Sequence, residues 1–220
     1  MVLTTAEENY LKAIFALSWP GGDRVSTNDI AGRMQTAAAS VTDMLKRLHE
    51  KDLVRYERYK GVELSALGDE VARRLVRKHR LWEVFLVENL RFTWDEVHEV
   101  AEQLEHIRSP KLIDRLDEFL GFPERDPHGD PIPDRDGHME RGEQKSLAEL
   151  PVGDDYVVVG VSDTSPRYLK FLDELGVGLG TELSVLERRP FDGSMVVRIR
   201  REEITLSERA AVHLLVRLSN

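Results

Sequence analysis

Cysteine is absent from the 220 residues of this chain. Without a thiol there is no disulfide framework, no thiolate zinc site and no cysteine nucleophile. A metal ion, if one binds, has to be held by imidazole nitrogen or by carboxylate, amide or backbone oxygen. The absence of cysteine therefore restricts the possible ligand chemistry to nitrogen and oxygen.

Long apolar runs are absent as well. No run approaches the roughly 18 apolar residues that a membrane-spanning helix needs. The polar start of the chain, with Glu7 and Glu8, does not match the apolar segment of a signal peptide. Hydrophobic residues still make up 41% of the chain, which is enough for a packed core. We therefore expect a soluble cytoplasmic protein with no membrane partner.

The chain also lacks a net positive charge, because 31 Lys and Arg residues oppose 40 Asp and Glu residues and give −9. Taken as a whole, this balance argues against nucleic-acid binding. Residues 1–65 are nevertheless neutral, and the segment from Lys46 to Lys60 carries a basic stripe. DNA binding depends on the local patch more than on the total charge. The stripe indicates either a DNA-facing surface or simply a solvated helix face.

The first 65 residues follow the order of a winged helix-turn-helix. Apolar spacing predicts helices over residues 5–17, 27–34 and 37–50. Alternating strands then flank a turn within residues 53–64. In this motif the second of the two helix-turn-helix helices, here residues 37–50, enters the major groove of DNA.

The remainder of the chain is predicted to be helical first and β-rich afterwards. Capping signals predict helices over 66–90, 94–107 and 110–121, before a Pro/Gly/Asp-rich linker at 121–143. Beyond it, about five short strands predict a small closed β-barrel. The fold class is therefore mainly α with β. The predicted domains are a DNA-binding domain at 1–65, a helical metal-binding and dimerisation domain with linker at 66–145, and a small barrel at 146–220.

Histidine and glutamate replace the usual apolar residues along the central helices. His79 and Glu83 are one turn apart, and a second stripe follows at i, i+4, i+7 and i+8: His98, Glu102, Glu105 and His106. Burying such a stripe is costly unless a cation compensates it. Nitrogen and oxygen ligands favour Mn²⁺ or Fe²⁺, although Zn²⁺ or other divalent ions can substitute in vitro. The alternative is a solvated amphipathic helix with incidental histidines.

Several segments together resemble the diphtheria toxin repressor family of metal-activated transcriptional regulators. They are Thr4 to Leu11, Arg77 to Glu83, Val97 to His106 and Asp126 to Pro133. The resemblance covers essentially the whole chain. It implies a metal-dependent repressor, expected to control metal-uptake genes, and a C-terminal barrel of the Src-homology-3-like, FeoA-like type.

The resemblance also implies two metal sites per subunit. The primary site would use Glu102, Glu105, His106 and Asn9. The ancillary site would use His79, Glu83 and His98, completed by Asp126, His128 and Asp163. Glu102 stands where the iron-responsive branch often has cysteine, so the manganese-responsive branch is favoured. Asn9 stands where the family usually has Met or Asp, and its amide oxygen is a weaker ligand.

The partners implied are palindromic double-stranded operator DNA and a second copy of the chain, packed through apolar faces of the central helices. Small or hydroxyl-bearing residues at the start of the third helix, and basic or polar residues near it, are the expected DNA contacts. They are Thr27, Ala37, Ala39, Ser40, Thr42, Asp43, Lys46, Arg47, Arg58, Tyr59 and Lys60.

Two other functions remain open at this point. The protein could be a winged-helix regulator that senses an organic ligand, in which case the His/Glu stripe would have no role in ligand binding. A helical metalloenzyme is the weaker alternative, because the chain has no paired Glu-x-x-His motifs and no evident substrate base. We therefore expect that the protein is not an enzyme.

Overall fold

The computed structural model describes residues 2–19, 21, 23–57, 60–140 and 142–219. The chain divides into two compact units. The first comprises Met1–Arg80, Glu102–Ile113 and Ile132–Met139, and the second comprises Leu81–Ala101, Asp114–Pro131 and Glu140–Asn220. The domain boundaries expected after residues 65 and 145 stay a prediction. Within the described part of the chain, no helix has the length and apolar character that crossing a membrane requires.

The N-terminal part has the predicted winged helix-turn-helix order. The helices are α1 (Thr5–Ser18), α2 (Thr27–Arg33) and α3 (Ala38–Glu50), followed by strands β1 (Val54–Glu57) and β2 (Gly61–Leu64). The two strands pair antiparallel, and Val25 adds a bridge to Val62. The loop between the strands contains Arg58 and Tyr59, two predicted DNA contacts that lie outside the described residues.

Local sequence explains where these helices begin. Thr4 and Glu7 form a capping box at the start of α1, and Ser26 accepts a hydrogen bond from the Asp29 N–H at the start of α2. Side chains spaced along the inner faces form the core; those with no exposed surface include Leu11, Ile14, Ile30, Val41, Leu45 and Leu48. This core fixes α1 against the helix-turn-helix.

Three further helices are α4 (Ala66–Leu90), α5 (Val97–Leu104) and α6 (Pro110–Phe119). The predicted helix over 94–107 is too long at both ends. Residues 94–96 form a turn, and Glu105 and His106 follow the end of α5. Glu105 and His106 form a turn, residues 107–109 after this turn are irregular, and Pro110 then opens α6.

The C-terminal part forms a six-stranded antiparallel sheet in the order β3-β8-β4-β5-β6-β7. Its elements are β3 (Lys145–Ser146), a short 3₁₀ helix (Leu147–Glu149), β4 (Asp155–Val161), α7 (Pro166–Glu174), β5 (Glu182–Arg188), β6 (Met195–Ile199), β7 (Glu202–Leu206), α8 (Glu208–His213) and β8 (Leu214–Leu218). The sequence predicted five strands. The strand β3 has two residues, too few for an alternating pattern.

Candidate metal centres and DNA-facing surface

Glu83, on α4, lies among other ligand-type side chains. Its Oε1 is 3.3 Å from His98 Nδ1, and its Oε2 is 3.7 Å from His128 Nδ1. Asp126 joins them, because one ligand atom each of Glu83, Asp126 and His128 lies within 4.8 Å of the others. These three residues are at most 4% exposed. We call Glu83, His98, Asp126 and His128 the Glu83 cluster.

A tight turn in the linker holds Asp126 and His128 in place. Asp126 Oδ1 accepts hydrogen bonds from the N–H groups of His128 at 2.8 Å and Asp130 at 2.9 Å. Gly129 in this turn lies against a bulge of β4, where an added Cβ would be 2.1 Å from the Val159 carbonyl oxygen. With φ at +89°, this position requires glycine. The turn therefore depends on the sheet for its position.

The orientation of the His128 ring is set by its other nitrogen. Nε2 is 2.8 Å from the carbonyl oxygen of Trp94, which can only accept a hydrogen bond, so Nε2 carries a proton. When the ring is neutral, the lone pair is therefore on Nδ1, the atom that faces Glu83. Trp94 also stacks on the ring, with centroids 6.4 Å apart. A backbone acceptor on the distal nitrogen is the usual support for a metal-binding imidazole.

A proton on His128 balances charge in the Glu83 cluster. Burial alone would lower the pKa of His128, but the carboxylates of Glu83 and Asp126 raise it from 6.5 to about 9. The imidazolium thus offsets two buried carboxylates that would otherwise be costly. A divalent cation could take over this role with the same side chains as ligands. The donor set and its supporting hydrogen bonds therefore fit a metal ion.

Asp163, a predicted ligand of the ancillary site, is not in this group among the residues that the structure describes. Its Oδ1 accepts a hydrogen bond from the Ser165 N–H at 2.9 Å, in the turn that opens α7. That local turn accounts for its position. No distance within the described part of the chain supports Asp163 as a ligand.

The predicted primary ligands include Glu105, whose side chain is 1% exposed. His106 lies nearby, with Nε2 3.8 Å from Glu105 Oε1. Its Nδ1 is 2.6 Å from Glu8 Oε2 on α1 and donates to that carboxylate, which leaves the Nε2 lone pair toward Glu105 in the neutral ring. His79 Nδ1 is 2.5 Å from Glu105 Oε2. We call Glu8, Lys12, His79, Glu102, Glu105 and His106 the Glu105 cluster.

Lys12 was not predicted from the sequence, yet it occupies the middle of this cluster. Its Nζ is 2.7 and 2.8 Å from the two oxygens of Glu105 and 3.4 Å from Glu102 Oε1. Burial alone would raise the pKa of Glu105, but hydrogen bonding to His79 and the charge of Lys12 lower it overall. The ligand types fit a cation here, but the ammonium group of Lys12 already contacts the carboxylate of Glu105.

The first-helix ligand is predicted at Asn9, and on the same helix Glu8 and Lys12 contact His106 and Glu105. Asn9 Oδ1 is buried and has no hydrogen-bond partner among the described residues. An unsatisfied buried oxygen fits a ligand role. The i, i+4 spacing of Glu8 and Lys12 beside apolar residues was a signal in the sequence that these two share a face.

The surface expected to contact DNA is largely exposed. On α3 and at its start the exposed residues are Ala37, Ala39, Ser40, Asp43, Lys46 and Arg47, whereas Thr27 and Thr42 are half-buried. The Thr42 hydroxyl donates to the Ala38 carbonyl oxygen at 3.0 Å, so it can offer only its lone pairs to DNA. Lys46 pairs with Asp43 at 3.2 Å on the helix surface. These DNA contacts stay a prediction.

The wing formed by β1 and β2 carries a charged network. Glu57 binds Lys60 at 2.7 Å and Arg24 at 2.8 Å, and these partners lower its pKa from 4.5 to about 2. Lys60 remains 71% exposed. Its ammonium group is thus at the surface, where a phosphate could replace Glu57 as partner.

Three protein-family models match consecutive parts of the chain. Residues 2–62 match "Iron dependent repressor, N-terminal DNA binding domain". Residues 65–134 match "Iron dependent repressor, metal binding and dimerisation domain", and residues 145–218 match the FeoA domain. The last match agrees with the predicted type of C-terminal fold.

Whole proteins and solved structures are similar over nearly the full length. The chain is 30% identical to the iron-dependent repressor IdeR of Mycobacterium bovis, over 95% of each chain. A solved manganese-dependent transcriptional repressor in complex with manganese is 38% identical, with a TM-score of 0.89, over 97% of this chain and 100% of the other. The structure of ScaR with bound Cd²⁺ is 31% identical, with a TM-score of 0.81, over 97% and 99% of the two chains.

Proposed function

Because this chain belongs to the diphtheria toxin repressor family of metal-dependent transcriptional regulators, we propose that it represses metal-uptake genes when Mn²⁺ or Fe²⁺ is abundant. The Glu83 cluster carries this proposal. Its buried carboxylates and two imidazoles form a divalent-cation donor set, and the Trp94 carbonyl already fixes the tautomer of His128. Among the described residues nothing favours an organic ligand instead, and members of this family are regulators and not enzymes.

We propose a second metal site at Glu102, Glu105 and His106, with Asn9 as a further ligand, so that each subunit has two sites. His79 is proposed for the ancillary site, and its Nδ1 also contacts Glu105. Support for the second site comes from the Nε2 lone pair of His106 toward Glu105 and from the unsatisfied oxygen of Asn9.

Manganese is the proposed physiological metal, with iron as the alternative. The donor set has no thiolate, and hard oxygen ligands with imidazole suit Mn²⁺ and Fe²⁺. Similar solved structures include a repressor described as manganese-dependent. Zn²⁺ and other late divalent ions are expected to bind in vitro, because affinity generally rises toward them.

The first helix provides the path between metal and DNA. Leu11 and Ile14 of α1 are fully buried in the core that holds α3. Glu8 and Lys12, on the same helix, contact His106 and Glu105. A change in the Glu105 cluster therefore acts directly on the helix that supports the recognition helix. If metal raises DNA affinity in this way, DNA raises metal affinity by the same factor.

The proposed partners are a palindromic duplex and a second copy of the chain. DNA contacts are assigned to the exposed start of α3 and to the wing, as predicted from the sequence. Leu90 and Phe119 support a dimer surface, because they are 53% and 66% exposed on helices α4 and α6. By contrast, Leu86 and Leu116 are buried and serve the core of the subunit.

Selection of duplexes from a random pool tests this function whatever the operator sequence is. The protein is incubated with the pool in Mn²⁺ and, in parallel, in chelator, and bound DNA is sequenced. We expect a two-fold symmetric motif that is enriched only with Mn²⁺, bound by a species of twice the 25.2 kDa chain mass. Equal enrichment in chelator, or no motif in either condition, would contradict the proposal.

A further inference from the structure

The Lys12 ammonium group lies where it would oppose a metal ion bound at the same carboxylate. Nζ lies 2.7 and 2.8 Å from the two oxygens of Glu105, so both oxygens are engaged by one cation. His79 Nδ1 also contacts Oε2. A divalent ion ligated by Glu105 would sit about 2.0–2.2 Å from one of these oxygens and would repel the ammonium group.

This ion pair is not a loose surface contact. The Lys12 side chain is 17% exposed and that of Glu105 is 1% exposed, so water screens the pair poorly. The backbone of α1 is anchored on both sides of Lys12 by Leu11 and Ala13, which are 0% and 4% exposed. Lys12 therefore contacts Glu105 from a helix whose position is fixed by its buried neighbours.

The positive charge of the Lys12 ammonium group also complements the negative charge of the carboxylates in this cluster. Glu102 and Glu105 present carboxylates to Lys12, and Glu8 adds a third carboxylate one helical turn away on α1. In the absence of a bound ion, a positive charge at this point offsets their repulsion. Lys12 thus supplies, from within the chain, part of the compensation that a metal ion would supply, and the charge of Lys78 also acts on Glu8 and Glu105.

We propose that Lys12 is an intramolecular cation that competes with divalent metal for the Glu105 cluster. The proposal rests on the proposed function, because it assigns a regulator to the second of the two metal sites. Metal entry then requires Lys12 to withdraw from Glu105, so this site is weaker than the Glu83 cluster and fills only at higher metal concentration. In the absence of metal, Lys12 itself ties α1 to Glu105.

Direct Mn²⁺ binding to the full chain tests the proposal. Isothermal titration calorimetry and metal analysis after dialysis are performed on the wild type and on Lys12→Gln, which removes the charge. We expect Lys12→Gln to tighten the weaker site by at least about tenfold, or to add a second bound ion where the wild type holds one. Lys12→Arg, which keeps the charge, is expected to resemble the wild type.

Two controls separate competition from indirect effects. In the double variant Lys12→Gln with Glu105→Gln, the gain should vanish because the contested carboxylate is gone. Lys170→Gln should change nothing, because Lys170 is an exposed lysine that pairs with Asp95 and belongs to neither cluster. Unchanged or weaker binding in Lys12→Gln while the wild type binds Mn²⁺ would overturn the competition but leave the proposed function intact. Absence of Mn²⁺ binding in every variant would overturn both.

A measurement on the wild-type protein keeps the proposal testable if Lys12→Gln does not fold. In metal-free protein, the Lys12 ammonium held by Glu105 should give a slowly exchanging side-chain signal in ¹⁵N NMR. Titration with diamagnetic Zn²⁺ should abolish that signal at the concentration that fills the second site. A signal that survives saturation with Zn²⁺ would contradict displacement of Lys12.

Discussion

His128 faces Glu83 with Nδ1, at 3.7 Å from Oε2, while its other ring nitrogen donates to a backbone carbonyl. This relationship joins a linker residue to a helix residue 45 positions earlier in the chain. It also determines that the lone pair of neutral His128 is directed at a buried carboxylate. The affinity of the Glu83 cluster for metal and its response to pH should both depend on this ring.

Replacement of His128 by Gln should weaken Mn²⁺ binding at the Glu83 cluster by about 100-fold or more, because an imidazole ligand with a fixed tautomer is lost. Calorimetric titration of the purified protein measures the change. His213→Gln is the matched control, since His213 Nδ1 pairs with Ser162 Oγ at 2.9 Å, outside either cluster. Equal losses in the two variants would argue against a ligand role for His128.

The metal-free protein should lose stability as the pH rises through the pKa of His128. The folded pKa of about 9 exceeds the ordinary value of 6.5, so the contribution is full below about pH 6.5 and is lost as the pH passes 9. The loss is at most about 3–4 kcal/mol, since each pKa unit corresponds to about 1.4 kcal/mol. Urea unfolding with chelator at about pH 6 and pH 10 measures it.

The comparison with His128→Gln shows whether this residue causes the pH dependence. In that variant the difference in unfolding free energy between the two pH values should shrink, because Gln does not titrate. A pH dependence equal to that of the wild type would assign the effect to other groups. Because metal binding requires neutral His128, Mn²⁺ binding below pH 9 should also release a proton.

The sequence alone predicts a helix boundary well when residues next to that boundary determine it. The bounds of α4 were predicted correctly, because Ser65 and the periodic apolar residues are local signals; the Gly68 N–H indeed donates to Ser65 Oγ at 3.0 Å. The end of α5 was predicted too late, since an i, i+4, i+7 pattern continues in the sequence after the helix has stopped. The chain instead forms a turn at Glu105 and His106.

Only part of the site was predicted, because some of its residues are far apart in the sequence. Glu105 and His106 were identified from their spacing, but Lys12 lies 93 residues before Glu105 and no periodicity connects them. Asp163 was predicted as a ligand only through the resemblance, and the local turn to Ser165 uses its carboxylate. Contacts between residues in separate segments could be identified only from the three-dimensional structure.

Gly129→Ala should destabilise the fold and disturb the Glu83 cluster together. The new Cβ would meet the Val159 carbonyl oxygen at 2.1 Å, and the backbone φ of +89° is unfavourable for alanine. We expect a loss of about 2 kcal/mol or more in unfolding free energy and weaker Mn²⁺ binding. Gly178→Ala, where no atom lies within 4 Å of an added Cβ, should be neutral in both measurements.

Arg47→Gln should weaken DNA binding in a nearly sequence-independent manner. Arg47 is exposed on α3, and a phosphate contact contributes charge and not base readout. The slope of log affinity against log salt should become shallower by about one unit, and fluorescence anisotropy at several salt concentrations measures it. The exposed Lys170→Gln again serves as control. An unchanged slope would remove Arg47 from the interface.

Anomalous diffraction at the manganese edge, from a crystal grown with Mn²⁺, tests the metal-binding role of the Glu83 cluster most directly. We expect a peak bounded by Glu83, His98, Asp126 and His128, with Nδ1 of His128 as a ligand. A peak only at the exposed group of Asp134, Asp136 and His138, or no peak at all at saturating Mn²⁺, would contradict that role.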